Sequence, residues 1–272
     1  MIRIAIAGKG GVGKTLVAAG LAQAFAGSGQ RTLAIDADPS PNLALMLGLS
    51  VAESEAIVPL SANEDLVRAK TATRFPGVYN LSFTVDDIVR DFTVPTPAGV
   101  HLLVMGTIQR MGAGCSCPAN TLLRNVLHRL VTGEDEVIIL DMEAGVEHLG
   151  RGTAENVDLF LIITTADSRA LATAGSVARI ATEAKIPRVM LAGNRIRNAR
   201  EEEIIRDFGR ERNIPVLGLI PYDARVSEGG IAGESVQQLK DSAALNAIRK
   251  MVEIITGRSN QGKKAGHGSG SR

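Results

Sequence analysis

Gly8-Lys9-Gly10-Gly11-Val12-Gly13-Lys14-Thr15 stands between an apolar, β-branched run at residues 2–7 and a helix-patterned stretch at residues 14–26. Two phosphate-binding patterns fit it. Gly8, Gly10 and Gly13 satisfy G-x-G-x-x-G, and Asp36 lies 23 residues beyond Gly13, where a dinucleotide ribose would be read. The same stretch satisfies G-x-x-x-x-G-K-[ST], which also specifies Lys14 and Thr15, residues a dinucleotide fold has no use for. The P-loop reading prevails. Its glycines let the backbone N–H groups of Gly10, Gly11, Val12 and Gly13 turn inward around phosphate oxygens, and the helix beginning near Lys14 adds its positive end. In this reading Lys14 neutralises β- and γ-phosphate charge of ATP, and the Thr15 hydroxyl ligates Mg2+.

Outward from the loop, short apolar runs at residues 2–7, 32–35, 100–105, 137–140, 159–164, 189–192 and 216–220 read as buried strands. Helix-length segments at 14–26, 120–131, 168–184 and 199–212 alternate with them. That alternation predicts an α/β fold, doubly wound, with a mostly parallel sheet covered on both faces. Residues 50–97 are less regular and read as a helical and loop insertion beside the sheet. An amphipathic helix is expected over 241–255, with its apolar face packed on the core. The expectation is one P-loop ATPase domain over residues 1–256 and a disordered Gly/Ser/Lys-rich tail over 257–272.

Composition narrows the partners. The 272 residues are 45% hydrophobic and 22% charged, which suits a packed globule, and the formal charge of +1 offers no global attraction to nucleic acid or anionic membrane. No run approaches the roughly 18 apolar residues of a membrane span, and residues 2–6 lead into a glycine loop rather than a cleavage site. A cytoplasmic protein is expected.

Lys9 is the unusual member of the loop. The form Lys-Gly-Gly-x-Gly-Lys-Thr resembles the deviant P-loop of the dimeric ATPase family that contains the division-site, chromosome-partition and nitrogenase-reductase proteins. The resemblance implies that Lys9 contacts the nucleotide of a facing subunit and stabilises transition-state charge there, as an arginine finger does elsewhere. It also implies a first switch at Asp36-Ala37-Asp38-Pro39-Ser40-Pro41-Asn42, in which Asp38 orients or activates the attacking water and approaches Mg2+ through water. A second switch, Asp141-Met142-Glu143-Ala144-Gly145, follows an apolar run, with Asp141 in the Mg2+ shell. Asn194 and Arg195, and then Pro221, Tyr222 and Asp223, stand where this family holds the adenine. An Asn side chain, which both donates and accepts, suits a purine edge.

The two cysteines, Cys115 and Cys117, are separated by one residue, too close for a disulfide that staples anything distant. They precede a helix-patterned stretch opened by Pro118, and thiols at a helix start have depressed pKa values, so the metal-binding thiolate is accessible. One C-x-C leaves a metal half coordinated; two copies of the chain would offer four sulfurs. The run Cys115-Ser116-Cys117-Pro118, the stretch from Asp141 through His148 to Gly152, and Lys9 together resemble the CooC family, ATPases for nickel insertion into carbon monoxide dehydrogenase. That resemblance implies a homodimer favoured by ATP, one Ni2+ held between two C-x-C pairs, and delivery to the dehydrogenase. Four thiolates also suit Zn2+, so the metal rests on the resemblance. Maturation of acetyl-CoA synthase is a sister possibility, and a partition or positioning ATPase acting on DNA or membrane is the alternative from another class. The cysteine spacing argues against a cluster shared as in nitrogenase reductase, and His148 reads as a hydrogen-bonded loop residue.

Overall fold

The computed structural model describes residues 2–38, 42–74, 80, 86–106, 122–123, 125–128, 130, 137–142 and 157–257. Its strands are β1 (Ile2–Ala7), β2 (Thr32–Ala37), β3 (Val94–Pro95), β4 (His101–Val104), β5 (Val137–Met142), β6 (Leu159–Thr164), β7 (Val189–Ile196) and β8 (Val216–Pro221). They form one sheet in the order β3-β4-β2-β5-β1-β6-β7-β8. All neighbours run parallel except β3 and β4. The expected α/β, doubly wound sheet is therefore present, with β1 at its centre between β5 and β6.

Alternation along the strands builds two cores, because successive side chains of a strand point to opposite faces. Ile4 and Ile6 of β1, with Leu159, Leu161 and Ile163 of β6, join one apolar layer. Ala5 and Ala7, with Phe160 and Ile162, join the other. The first layer is closed by α1 (Lys14–Gly27), α2 (Leu43–Met46) and the C-terminal helix; the second by α6 (Ser168–Glu183), α7 (Ala199–Glu211) and the helical residues at 122–130 that are described.

The C-terminal helix α9 (Ala243–Thr256) starts at Ser242, whose hydroxyl accepts from Leu245 N at 3.2 Å, and stops at Gly257 in the left-handed region. Its apolar stripe of Leu245, Ile248, Met251 and Val252 is buried against α1 and β8, as the amphipathic pattern predicts. The fit is tight: a side chain at Gly20 of α1 would meet Ile248 at 3.1 Å.

The segment at 50–97 is the helical and loop insertion expected, made of α3 (Val51–Ala56), a 3-10 turn (Leu60–Ala62), α4 (Glu64–Thr71) and α5 (Asp86–Phe92). It ends in an unforeseen element, the edge strand β3, antiparallel to β4. Pro95 within it obscured the signal, since proline is tolerated only where no ladder donor is needed. A short helix α8 (Ala224–Ala232) was also unforeseen; the three glycines at 229, 230 and 233 in and after it weaken any helical pattern. Several strands run further than their apolar runs. Thus β2 continues through Asp36, β5 through Asp141, and β7 through Asn194 and Arg195. Ladder pairing carries Asp36 and Asp141 inside the sheet, whereas Asn194 and Arg195 fall in an irregularity of the β7–β8 pairing.

Candidate functional site

The parallel strands deliver their C-terminal ends to one edge, where ligands bind in open α/β sheets. Gly8 leaves β1 at φ 147°, and an added Cβ would lie 2.2 Å from the Ile163 carbonyl oxygen of β6. Only glycine fits so close to a neighbouring strand. Gly11 and Gly13 also hold positive φ, at 81° and 96°. Gly13 is the residue before α1, and no side chain caps that helix, so its N-terminal amides face the loop. Gly10 and Gly11 are exposed, Val12 is buried, Lys9 and Thr15 are partly exposed, and Lys14 is 7% exposed.

Two carboxylates lie beneath this loop. Asp36 and Asp141 are register partners on the adjacent strands β2 and β5, and Asp141 also sits opposite Ile6 of β1. Their exposures are 0% and 1%. Asp36 Oδ1 accepts from Asp38 N at 3.1 Å and Oδ2 from Leu43 N at 3.0 Å, which holds both of those residues at the end of β2. Burial raises Asp36 to about 6, opposed by those amides. Burial raises Asp141 further, to about 7; the nearby Thr15 hydroxyl and the Lys14 ammonium pull it down, and Asp36 and Asp38 push it up. Among the described residues neither oxygen of Asp141 has a hydrogen-bond partner, although the Thr15 hydroxyl lies close by. A buried, orphaned carboxylate is costly unless a cation completes it. No cluster of three or more metal-ligating side chains is found among the described residues, so a hydrated Mg2+ would rest on Thr15 and Asp141, with Asp36 and Asp38 close enough to act on Asp141. The burial of Asp36 beside Asp141 is what sequence reasoning missed, having placed Asp36 as a possible ribose contact and as the opening residue of the first switch. Its signal was the second acidic residue ending an apolar run, which becomes meaningful once β2 and β5 are known to be neighbours.

The residues expected near the base come together at the ends of β7 and β8. Asn194 is 3% exposed; its Nδ2 donates to Val12 O at 2.7 Å and its Oδ1 accepts from Arg195 N at 2.8 Å. Arg195 has φ 58°, and the pairing of β7 with β8 slips between Gly193 and Ile196. Pro221 pairs with Ile196, and Tyr222 N donates to Ile196 O at 2.9 Å. The Tyr222 ring, 43% exposed, carries the Arg197 guanidinium at 4.9 Å from its centroid. Asp223 caps two helices, accepting from Arg225 N at 3.0 Å and Ala244 N at 3.4 Å. Cys115, Cys117, Pro118, Glu143 to Gly145, His148 and the tail from residue 258 lie outside the described residues.

The phosphate loop, the Lys14–Thr15 pair and the carboxylates at the ends of β2 and β5 define a P-loop nucleotide-binding protein. The sequence matches the CobQ/CobB/MinD/ParA nucleotide binding domain over residues 4–236, and the chain belongs to that family. It is 37% identical over 256 residues to the carbon monoxide dehydrogenase accessory protein CooC of Rhodospirillum rubrum, spanning 93% of this chain and 96% of that protein. It is 39% identical over 258 residues to an uncharacterized ATP-binding protein of Methanocaldococcus jannaschii, spanning 93% and 97%. Among solved structures, the septum site-determining protein MinD of Pyrococcus horikoshii, complexed with Mg-ADP, shares the fold at TM-score 0.66 and 22% identity, covering 94% of this chain and 96% of that one.

Proposed function

We propose that the chain is a cytoplasmic, ATP-hydrolysing metallochaperone that takes up Ni2+ between two copies of itself and inserts it into the active-site cluster of a carbon monoxide dehydrogenase. The observation that carries this reading is the strand order. β4, β2, β5 and β1 are successive neighbours, so the segments leading to Cys115, to Asp38, to Glu143 and to the phosphate loop all depart from one sheet edge. Met105 N donates to Asp36 O at 2.8 Å, which ties the exit of β4 to the strand bearing the first switch ten residues before Cys115. The 37% identity to a carbon monoxide dehydrogenase accessory protein supports the client.

In this mechanism Lys14 and the loop amides hold the triphosphate, and Lys9 reaches the nucleotide of the facing copy. Asp38 orients the attacking water. Thr15 would hold Mg2+ directly and Asp38 and Asp141 through water, and the ion when bound neutralises phosphate charge. The adenine lies near Asn194, Arg195 and the segment Pro221 to Asp223. Cys115 and Cys117 supply two thiolates per copy, and four per pair hold the cargo ion. Because the nucleotide and the ion are each gripped by both copies, each favours closure and strengthens the other's binding. A membrane role for α9 is disfavoured, since its apolar face is already covered by α1 and β8.

The test is a titration of the reduced protein with Ni2+ and with Zn2+, with and without a slowly hydrolysed ATP analogue, followed by sizing. One ion per two chains is expected, tightest in the nucleotide-bound dimer. Serine at Cys115 and Cys117 should remove the ion and leave ATP binding intact. Unchanged stoichiometry in that double variant would refute the ligand assignment, and Zn2+ binding without Ni2+ would refute the cargo.

A further inference from the structure

We propose that Asn194 is a positioning residue for the phosphate loop, acting through the Val12 carbonyl as well as facing the base. The inference rests on reading residues 8–15 as a triphosphate cradle. A trans peptide is planar, with its C=O and N–H pointing in opposite directions. The buried amide of Asn194 draws Val12 O toward β7 at 2.7 Å, so the N–H of the same peptide, that of Gly13, is turned the other way. No described residue accepts from Gly13 N–H. That amide is thus fixed at the start of α1, unpaired among the described residues, where phosphate oxygens would lie.

Three features support the brace. Gly13 stands at φ 96°, and a Cβ there would lie 2.3 Å from Asn194 Nδ2, so the glycine is required by the asparagine as well as by its own backbone. The β7–β8 pairing advances from Gly193↔Leu219 to Ile196↔Pro221, three steps on β7 against two on β8. Such a bulge re-aims a side chain, here Asn194, and the left-handed Arg195 beside it completes the turn. Arg195 N then donates to Asn194 Oδ1 at 2.8 Å, which fixes which end of the amide faces Val12. A primary amide has two N–H groups and two carbonyl lone pairs. One of each is engaged, and one of each is left for a purine edge. One side chain therefore links the two ends of the nucleotide, and engaging the base stiffens the loop that grips the phosphates.

The test separates the brace from a base contact by using a ligand that has no base. Binding of magnesium tripolyphosphate and of Mg·ADP is measured by calorimetry for the wild type, Asn194→Ala, Asn194→Asp and Lys14→Ala, with melting temperatures taken alongside. Asn194→Ala is expected to weaken tripolyphosphate about tenfold, the worth of one buried hydrogen bond, and ADP by at least as much. Asn194→Asp keeps the shape but cannot donate when ionised, so it should lose as much or more, and it carries the test if the alanine variant does not fold. Wild-type affinity for tripolyphosphate in both Asn194 variants, whether with weakened ADP binding or with only a lowered melting temperature, overturns the brace. Lys14→Ala should abolish tripolyphosphate binding; if it has no effect, the cradle reading fails and this proposal fails with it.

Discussion

Asp141→Asn should stabilise the nucleotide-free protein at alkaline pH while crippling its response to Mg·ADP. The carboxyl is buried and lifted from 3.8 to about 7. The folded state therefore holds a proton that the unfolded state releases above pH 4, so unfolding sheds a proton and stability falls as pH rises from about 4 to about 7. At about 1.4 kcal/mol per pH unit, the full penalty above pH 7 is about 4 kcal/mol. Asparagine has no such titration. The stability of Asp141→Asn relative to wild type should rise by roughly 2 to 3 kcal/mol between pH 5 and pH 8, following the same linkage. Asp36, raised to about 6, titrates in both proteins and largely cancels in the difference. The assay is urea unfolding in EDTA at several pH values, repeated at pH 8 with Mg·ADP. There the wild type should gain stability by ligand binding and the variant far less. A pH-independent difference, or a wild type that gains on the variant as pH rises, would refute the reasoning that burial without a partner governs this group.

Lys14→Ala should abolish nucleotide binding, and Asp38→Ala should leave ATP bound but slow turnover by about 100-fold or more, measured as phosphate release; unchanged turnover in both would sink the mechanism. Gly8→Ala should cost about 3 kcal/mol or more in urea unfolding, because its φ of 147° disfavours a side chain and the new methyl carbon would lie 2.2 Å from the Ile163 carbonyl oxygen. Gly10→Ala, with nothing within 4 Å and no positive φ, should fall within about 0.5 kcal/mol of wild type, so equal losses at the two sites would contradict the loop geometry.

Much of this molecule is written locally. The phosphate loop is legible because the backbone demands of Gly8 and Gly13, the charge of Lys14 and the hydroxyl of Thr15 lie within eight consecutive residues, so their spacing is their geometry. The strands 2–7 and 159–164 are legible because burial on both faces favours runs that are apolar, here but for Arg3 and Thr164. Asp36 and Asp141 interrupt such runs at their ends, and a periodicity argument stops the strand there. The ladder does not stop, because backbone pairing is indifferent to which side chain it carries.

What the chain order could not supply is adjacency between distant segments. That Asp36 faces Asp141 follows from β2 and β5 being neighbours in the sheet. That Asn194 grips Val12, 182 positions away, follows from a bulge in β7 that no composition announces. Residue identity and short-range spacing determined the chemistry available, a triphosphate cradle and a pair of thiols. Only the tertiary structure decided which carboxylates share one desolvated space and which amide orients the loop, because burial and hydrogen-bond direction are properties of packed neighbours, and sequence separation carries no information about them.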